Sequence, residues 1–234
     1  MSWFGKKSTE HVVIVLSAHN LACGWLQNNN KQRGFVLRAF EKMSFNGYVD
    51  DDSMHNTTAI GTYIVGFLER HRIKDARISC ALTRPLVSER LTIKSYPTPE
   101  PRELMMTHAP HTLWDYYYMY PTDVDTYVFY VCAVAQPLLL QYKLMAFKYN
   151  LSLLITTSQT AALFQLYRYM YDQAFRMSQF GCDMRRCSDS PERLFDADVL
   201  NRILTHNGND AIVNSNNQTT ILTMCGLASE VMEA

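Results

Sequence analysis

The sequence predicts an α/β fold built on a mixed sheet, and three observations point there. Thr126–Ala135 (TYVFYVCAVA) is almost continuously apolar and rich in β-branched and aromatic residues. A half-solvated strand would alternate with polar residues, so this run fits a strand covered on both faces. A helix opening at Gln136-Pro137, a strand over Leu151–Thr156 and a second helix from Thr160 follow with short connections. That order is a βαβα unit, which demands a buried sheet. Finally, His11–Leu16, a Ser17-Ala18-His19-Asn20 turn and an extended Leu21–Gln27 read as an antiparallel hairpin, which a purely parallel sheet would lack.

Asn28–Arg33 is a polar turn and Gly34–Lys42 a third strand. Asp50-Asp51-Asp52-Ser53 is an acidic loop placed to cap a helix over Asn56–Arg72, with Ile60, Ile64, Phe67 and Leu68 on its apolar side. Ala76–Leu82 is a buried strand, and Val87–Ile93 alternates as a half-exposed one. Pro97, Pro99 and Pro101 stiffen the way into a helix expected over Glu103–Tyr120, kinked at Pro110. In the helix after Gln136, Leu140, Leu144 and Phe147 form the expected apolar stripe, with Lys143 and Lys148 on the wet face. Asn150 suits its left-handed stop. Gly181–Glu192 reads as a linker, Phe195–Leu204 as a short helix, Ala211–Val213 as a strand and Ile221–Glu233 as a closing helix.

Composition excludes more than it assigns. Among 234 residues, 22 basic and 22 acidic side chains give a formal net charge of +0, so no bulk field attracts nucleic acid. The tyrosines Tyr116–Tyr118 and Tyr120 lack a basic surround and suit core or interface packing better than base stacking. Cys182 and Cys187 form the close cysteine pair, without a second pair or a nearby histidine to complete a zinc set. His108, His111 and Asp115 could share a helix face, but Pro110 intervenes and surface histidines are the simpler reading. No Gly-x-Ser-x-Gly, Gly-x-Gly-x-x-Gly or Walker A pattern is present. The scattered cysteines fit reduced thiols and a cytoplasmic setting. Val12–Leu16 is far too short to span a bilayer, and no signal peptide is visible. Trp3, Phe4, Lys6 and Lys7 have the character of a membrane-surface contact, though a frayed terminus is the simpler reading.

Four segments carry a resemblance. They are HVVIVLSAHNLACGWL, DARISCALTRPLVSERLTI, the Glu103–Pro121 stretch leading into Asp125–Ala135, and AVAQPLLLQYKLMAFKYNLSLLITTSQTAALFQLYR. Their order over roughly residues 10–170 resembles the first domain of the actin-like (ribonuclease H-like) fold in PilM-type scaffolds of type IV pilus assembly. These are related to the cytoplasmic domain of the type II secretion protein GspL. The resemblance implies an actin-like core over residues 1–83 and 122–180, with a mixed sheet, and an inserted small subdomain over 84–121. A reduced C-terminal segment over 181–234 would end in the closing helix TTILTMCGLASEVMEA, the second domain being largely missing.

The same resemblance exposes departures. An actin-like phosphate loop uses an Asp-x-Gly turn, whose glycine lets backbone N–H groups approach a phosphate. Here Val15 stands at the aspartate position, Ser17 at the glycine position and Ala22 further along. The resemblance therefore implies no cofactor and no ATPase activity. It implies instead a non-enzymatic cytoplasmic adaptor at the inner face of the bacterial inner membrane. Such an adaptor would hold the N-terminal tail of a single-span assembly protein in a groove between core sheet and inserted subdomain. Arg84, Val87, Leu91, Trp114, Tyr117 and Tyr118 are the candidate contacts, and a homodimer is compatible with such a scaffold. The alternative is a degenerate actin-like protein that still binds nucleotide through Ser17, His19 and Asn20. An unrelated α/β domain with the same element order is a third reading, which a purely parallel sheet would select.

Overall fold

Side chains alternate across a strand, so Val12, Ile14 and Leu16 point to one face of β1 (Glu10–Leu16) and Val13 and Val15 to the other. A strand apolar on both faces belongs in the middle of a covered sheet. The computed structural model describes residues 10–29, 34–50, 52–104, 111–123, 126–170, 195, 199–206 and 216–233, and it places β1 there. β1 pairs antiparallel with β2 (Asn20–Asn29) and parallel with β4 (Arg77–Leu82). β2 pairs antiparallel with β3 (Gly34–Ser44), so the opening three strands form a meander and the purely parallel alternative falls. β8 (Ser152–Ser158) lies parallel beyond β4, and β9 (Leu204–His206) lies parallel beyond β3. Among the described residues the sheet has six strands, in the order β8-β4-β1-β2-β3-β9.

Helices cover both faces. Ile60, Ile64 and Phe67 of α1 (Thr57–Arg70) and Leu138, Tyr142 and Met145 of α3 (Gln136–Lys148) close over Val12, Ile14 and Leu16. On the opposite face, α4 (Gln159–Met170) and α6 (Gln218–Glu233) close over Val13, Val15 and Ala22. The short α5 (Val199–Ile203) adds Val199, Leu200 and Ile203 to that core. The closing helix thus packs back on the sheet as expected. Proline at the second position of α3 lacks only an N–H that had no helical partner. The cap of α1 is Asn56, which accepts from Ala59 N–H at 2.9 Å, rather than the aspartates. Asp50 instead closes its own turn, accepting from Ser53 N–H at 2.9 Å.

A second, three-stranded sheet runs β5-β7-β6 with antiparallel pairing throughout, from β5 (Val87–Lys94), β7 (Thr126–Ala135) and β6 (Thr112–Asp123). Phe129 and Val131 of β7 pack on one side with Leu104, at the end of α2 (Pro101–Leu104), and with Trp114 and Tyr116. Val128 and Tyr130 face the main core.

Several expectations change here. Of the helix expected over Glu103–Tyr120, the described residues hold only Pro101–Leu104, and Thr112–Asp123 is a strand. Trp114-Asp115-Tyr116-Tyr117 obeys period two: Trp114 and Tyr116 go to the outer side, while Asp115 and Tyr117 go to the side shared with Cys132 and Tyr130. The apolar run of β7 is covered on both faces as predicted, by the main core on the Val128 and Tyr130 side and by Leu104, Trp114 and Tyr116 on the other, but it is the middle strand of the small sheet and does not share a sheet with β8. The pairing of the small unit runs from Val87 to Ala135. The stripe on α3 is reversed: Leu140, Leu144 and Phe147 are exposed, and Leu138, Tyr142, Met145 and Ala146 are buried. Both stripes have helical spacing, so periodicity alone could not choose the inward one. Leu204, expected to end a helix, begins β9. The linker at Gly181–Glu192, the strand at Ala211–Val213, Cys182, Cys187 and His108 lie outside the described residues.

Candidate functional site

The expected phosphate-loop residues sit where the β1–β2 turn meets the start of α4. Val15 and Ala22 face each other in the β1–β2 register and are buried. Ser17 closes the turn on itself. Its Oγ accepts from His19 N–H at 3.2 Å and Asn20 N–H at 2.9 Å, and its hydroxyl donates to Asn20 O at 3.1 Å. Ser17 N–H also donates to Asn20 O, at 2.9 Å. The amides that a phosphate would need are already satisfied inward, and the neighbouring side chain at Val15 offers only methyl groups.

Beside this turn lies a polar cleft of about 290 Å³, lined by Val15, Ser17, Asn20, Lys42, Thr83, Arg84, Glu89, Gln159, Thr160 and Thr220. Glu89 organises its wall. The side chain is 4% exposed, and its Oε2 accepts from Arg84 Nε at 3.0 Å and from Thr160 Oγ1 at 2.9 Å. Its Oε1 accepts from the Tyr130 hydroxyl at 2.5 Å. Burial, then the neighbouring Glu89 charge, push the Tyr130 hydroxyl well above its ordinary value, so Tyr130 donates as a neutral phenol. Ser158 Oγ accepts from Ala161 N–H at 3.1 Å, capping α4, which leaves its own proton for the Tyr130 oxygen 2.5 Å away. With both oxygens of Glu89 engaged, the carboxylate joins β5 and β7 to the start of α4 instead of standing ready as a base.

A second depression, about 200 Å³, opens between the small sheet and the β4–β8 end of the main sheet. Its lining includes Leu82, Val87, Leu113, Trp114, Tyr117, Cys132, Val134, Leu139 and Thr156–Ser158. Two edge strands flank it: among the described residues β8 pairs only with β4, and β6 only with β7. Trp114 stacks on Tyr116 with ring centroids 6.1 Å apart, and Tyr117 tilts against Tyr130 at 6.1 Å. Burial pushes the Cys132 thiol up to about 12, with Asp115 and Glu89 adding to it, so it stays protonated. The walls are largely apolar, with Asp115 and Thr156–Ser158 as the polar residues among them.

Of the expected contact residues, the groove gathers Val87, Trp114 and Tyr117. Arg84 belongs to the polar cleft. Leu91 packs against the main core, and Tyr118 lies on the outer side of the small sheet against Phe129. Leu113, Val134, Leu139 and Thr156–Thr157 were missed. The alternation Leu113, Asp115, Tyr117 carried the signal for the first, once the segment is read as a strand. His111 precedes β6, so the helical face proposed for His111 and Asp115 does not form. No group of His, Cys, Asp or Glu placed to hold a metal occurs among the described residues. No described helix is long and apolar enough to cross a membrane.

No protein family profile matches the chain, and no curated protein matches it. Solved structures do. A PilM–PilN type IV pilus biogenesis complex matches with TM-score 0.54 and 15% identity, over 68% of this chain and 50% of that one. The cytoplasmic domain of EpsL, an inner-membrane component of the type II secretion system of Vibrio cholerae, matches with TM-score 0.40 and 11% identity, over 65% and 58% of the two chains. A Bacteroides thetaiotaomicron protein with an actin-like ATPase fold matches with TM-score 0.36 and 11% identity, over 70% and 57%. The chain thus spans about half the length of the structures it matches. The first of these likenesses shows the fold: the mixed sheet with its accompanying three-stranded sheet has the architecture of a chain in the PilM–PilN complex.

Proposed function

We propose that this chain is a non-enzymatic scaffold that holds an extended, apolar tail of a membrane-anchored assembly protein, in a pilus or secretion machine of the bacterial inner membrane. The observation that carries the proposal is the groove between the two sheets, lined by Val87, Trp114 and Tyr117 and flanked by the edges of β6 and β8. An extended tail gains backbone hydrogen bonds along such an edge, and alternate side chains enter the apolar walls. Tyr117 combines large contact area with few rotors, which limits the entropy lost on binding. A complex of type IV pilus biogenesis having the same fold supports this choice of partner. The self-closed Ser17 turn and the buried Val15 support the absence of nucleotide turnover.

The test is calorimetric titration of the purified chain with synthetic N-terminal tails of single-span pilus and secretion proteins. One tail binds at micromolar or tighter affinity, and Tyr117→Ala abolishes it. A parallel thermal-shift titration with Mg-ATP leaves the melting temperature unchanged. Saturable Mg-ATP binding, with no tail bound, would instead select a degenerate nucleotide-binding protein using the polar cleft and Lys42.

A further inference from the structure

The outward side of α3 carries a ridge that neither core employs. Leu140 is 54% exposed, Leu144 57% and Phe147 86%. At roughly 100° per residue these three fall within about 60° of arc, opposite the buried Leu138, Tyr142 and Met145. On the same projection Lys143 lies roughly 40° beyond one border of the ridge and Lys148 roughly 40° beyond the other. Both lysines are exposed, and Lys148 leans over the Tyr149 ring at 5.4 Å. The helix, QPLLLQYKLMAFK, contains no Asp or Glu. The acidic Asp50–Ser53 loop meets α3 at Gln141, on its flank, where Asp50 is paired with His55.

We propose that this face of α3 docks on an anionic lipid bilayer. Leu140, Leu144 and Phe147 enter the headgroup–acyl boundary, and the flanking lysines remain at headgroup level, where they meet the lipid charge. Two features select a lipid surface over a second protein. Three side chains form a patch on the order of 300 Å², well short of the roughly 800 Å² per partner of a stable protein interface. The ridge is also a single convex line with a lysine on each side and no carboxylate in α3 itself, which complements an anionic plane. The proposal rests on α3 alone and stands apart from the groove, although Leu139, on the Lys143 flank, reaches the groove wall.

Co-sedimentation of the full chain with vesicles tests it, using phosphatidylcholine alone and phosphatidylcholine mixed with phosphatidylglycerol. The chain binds the mixed vesicles, less so at high salt, and the neutral ones weakly. A Leu144→Ser/Phe147→Ser double variant loses binding by at least about tenfold, and Lys143→Glu weakens it, both with unchanged melting temperature because the side chains are exposed. Absence of binding to mixed vesicles overturns the proposal, as does binding that survives the double variant. Loss of binding in Trp3→Ser/Phe4→Ser, with the α3 variant still bound, would transfer the contact to the N-terminus and overturn it too. Self-association lost in the α3 variant, without vesicle binding, would assign the ridge to a second copy.

Discussion

Gly226 of α6 lies directly against the backbone of Ala162 in α4. A methyl group at Gly226 would overlap the Ala162 carbonyl oxygen and stand 2.6 Å from its carbon. Backbone cannot turn aside as a flexible side chain can, so the two helices approach this closely only because position 226 has no Cβ. Their contact in turn seals the core over Val13, Val15 and Ala22.

Gly226→Ala therefore forces α6 away from α4 and opens that core. We expect a loss of about 2–4 kcal/mol, in the range of overpacking and buried-contact defects, read as a lower urea midpoint. Gly24→Ala, which meets the flexible end of Met224 at 2.5 Å, is expected to cost less. Equal losses in the two variants would contradict the close backbone approach.

Glu89 and Tyr130 make the second prediction. Glu89→Ala leaves the Tyr130 hydroxyl and Thr160 without their buried acceptor, at a cost of about 2–4 kcal/mol. Tyr130→Phe removes one donor and leaves the carboxylate with Arg84 and Thr160, so about 1–2 kcal/mol is expected. Denaturant unfolding of both single variants and the double variant measures the coupling. Additive losses would show that the two side chains act independently.

Titration of His11 gives a pH signature. The ring is 3% exposed, its Nε2 lies 2.8 Å from the hydroxyl of the buried Ser79, and burial followed by the Arg77 charge lowers its pKa from 6.5 to about 4. Above pH 6.5 the ring is neutral folded and unfolded, and the fold is at full strength. As pH falls from about 6.5 towards 4 the unfolded chain takes up the proton and the folded one does not, so stability falls by up to roughly 3 kcal/mol. His11→Gln should flatten the pH dependence of the urea midpoint across that window. An unchanged slope would place the dependence on other groups.

Groove substitutions should separate affinity from stability. Leu113 is 41% exposed on the groove wall, so Leu113→Asp places a charge on the apolar path of a bound tail while removing little from the core. Tail affinity should fall by about tenfold or more, with thermal unfolding within a few degrees of the parent. Tail binding indifferent to Leu113→Asp would put the tail elsewhere.

Local pattern alone dictates the strands that are apolar on both faces, the meander that opens the chain, and the closing helix. Val12–Leu16 and Phe129–Val131 admit few placements other than under cover, because period two exposes both of their faces to whatever flanks them. The sequence also put Val15 and Ser17 at the positions where the resembled phosphate loop has an acid and a glycine. Tertiary structure decided the rest. Whether β7 joined the large sheet or the small one depended on pairing with β5 and β6, distant in sequence and invisible to local pattern. Which of two helical stripes on α3 turned inward depended on the shape of the core above Ile14 and Cys80. And the groove exists only because β6 is a strand: its Trp and Tyr residues favour that state locally, but packing of Tyr116 and Tyr118 on Phe129 is what selects it over the helix.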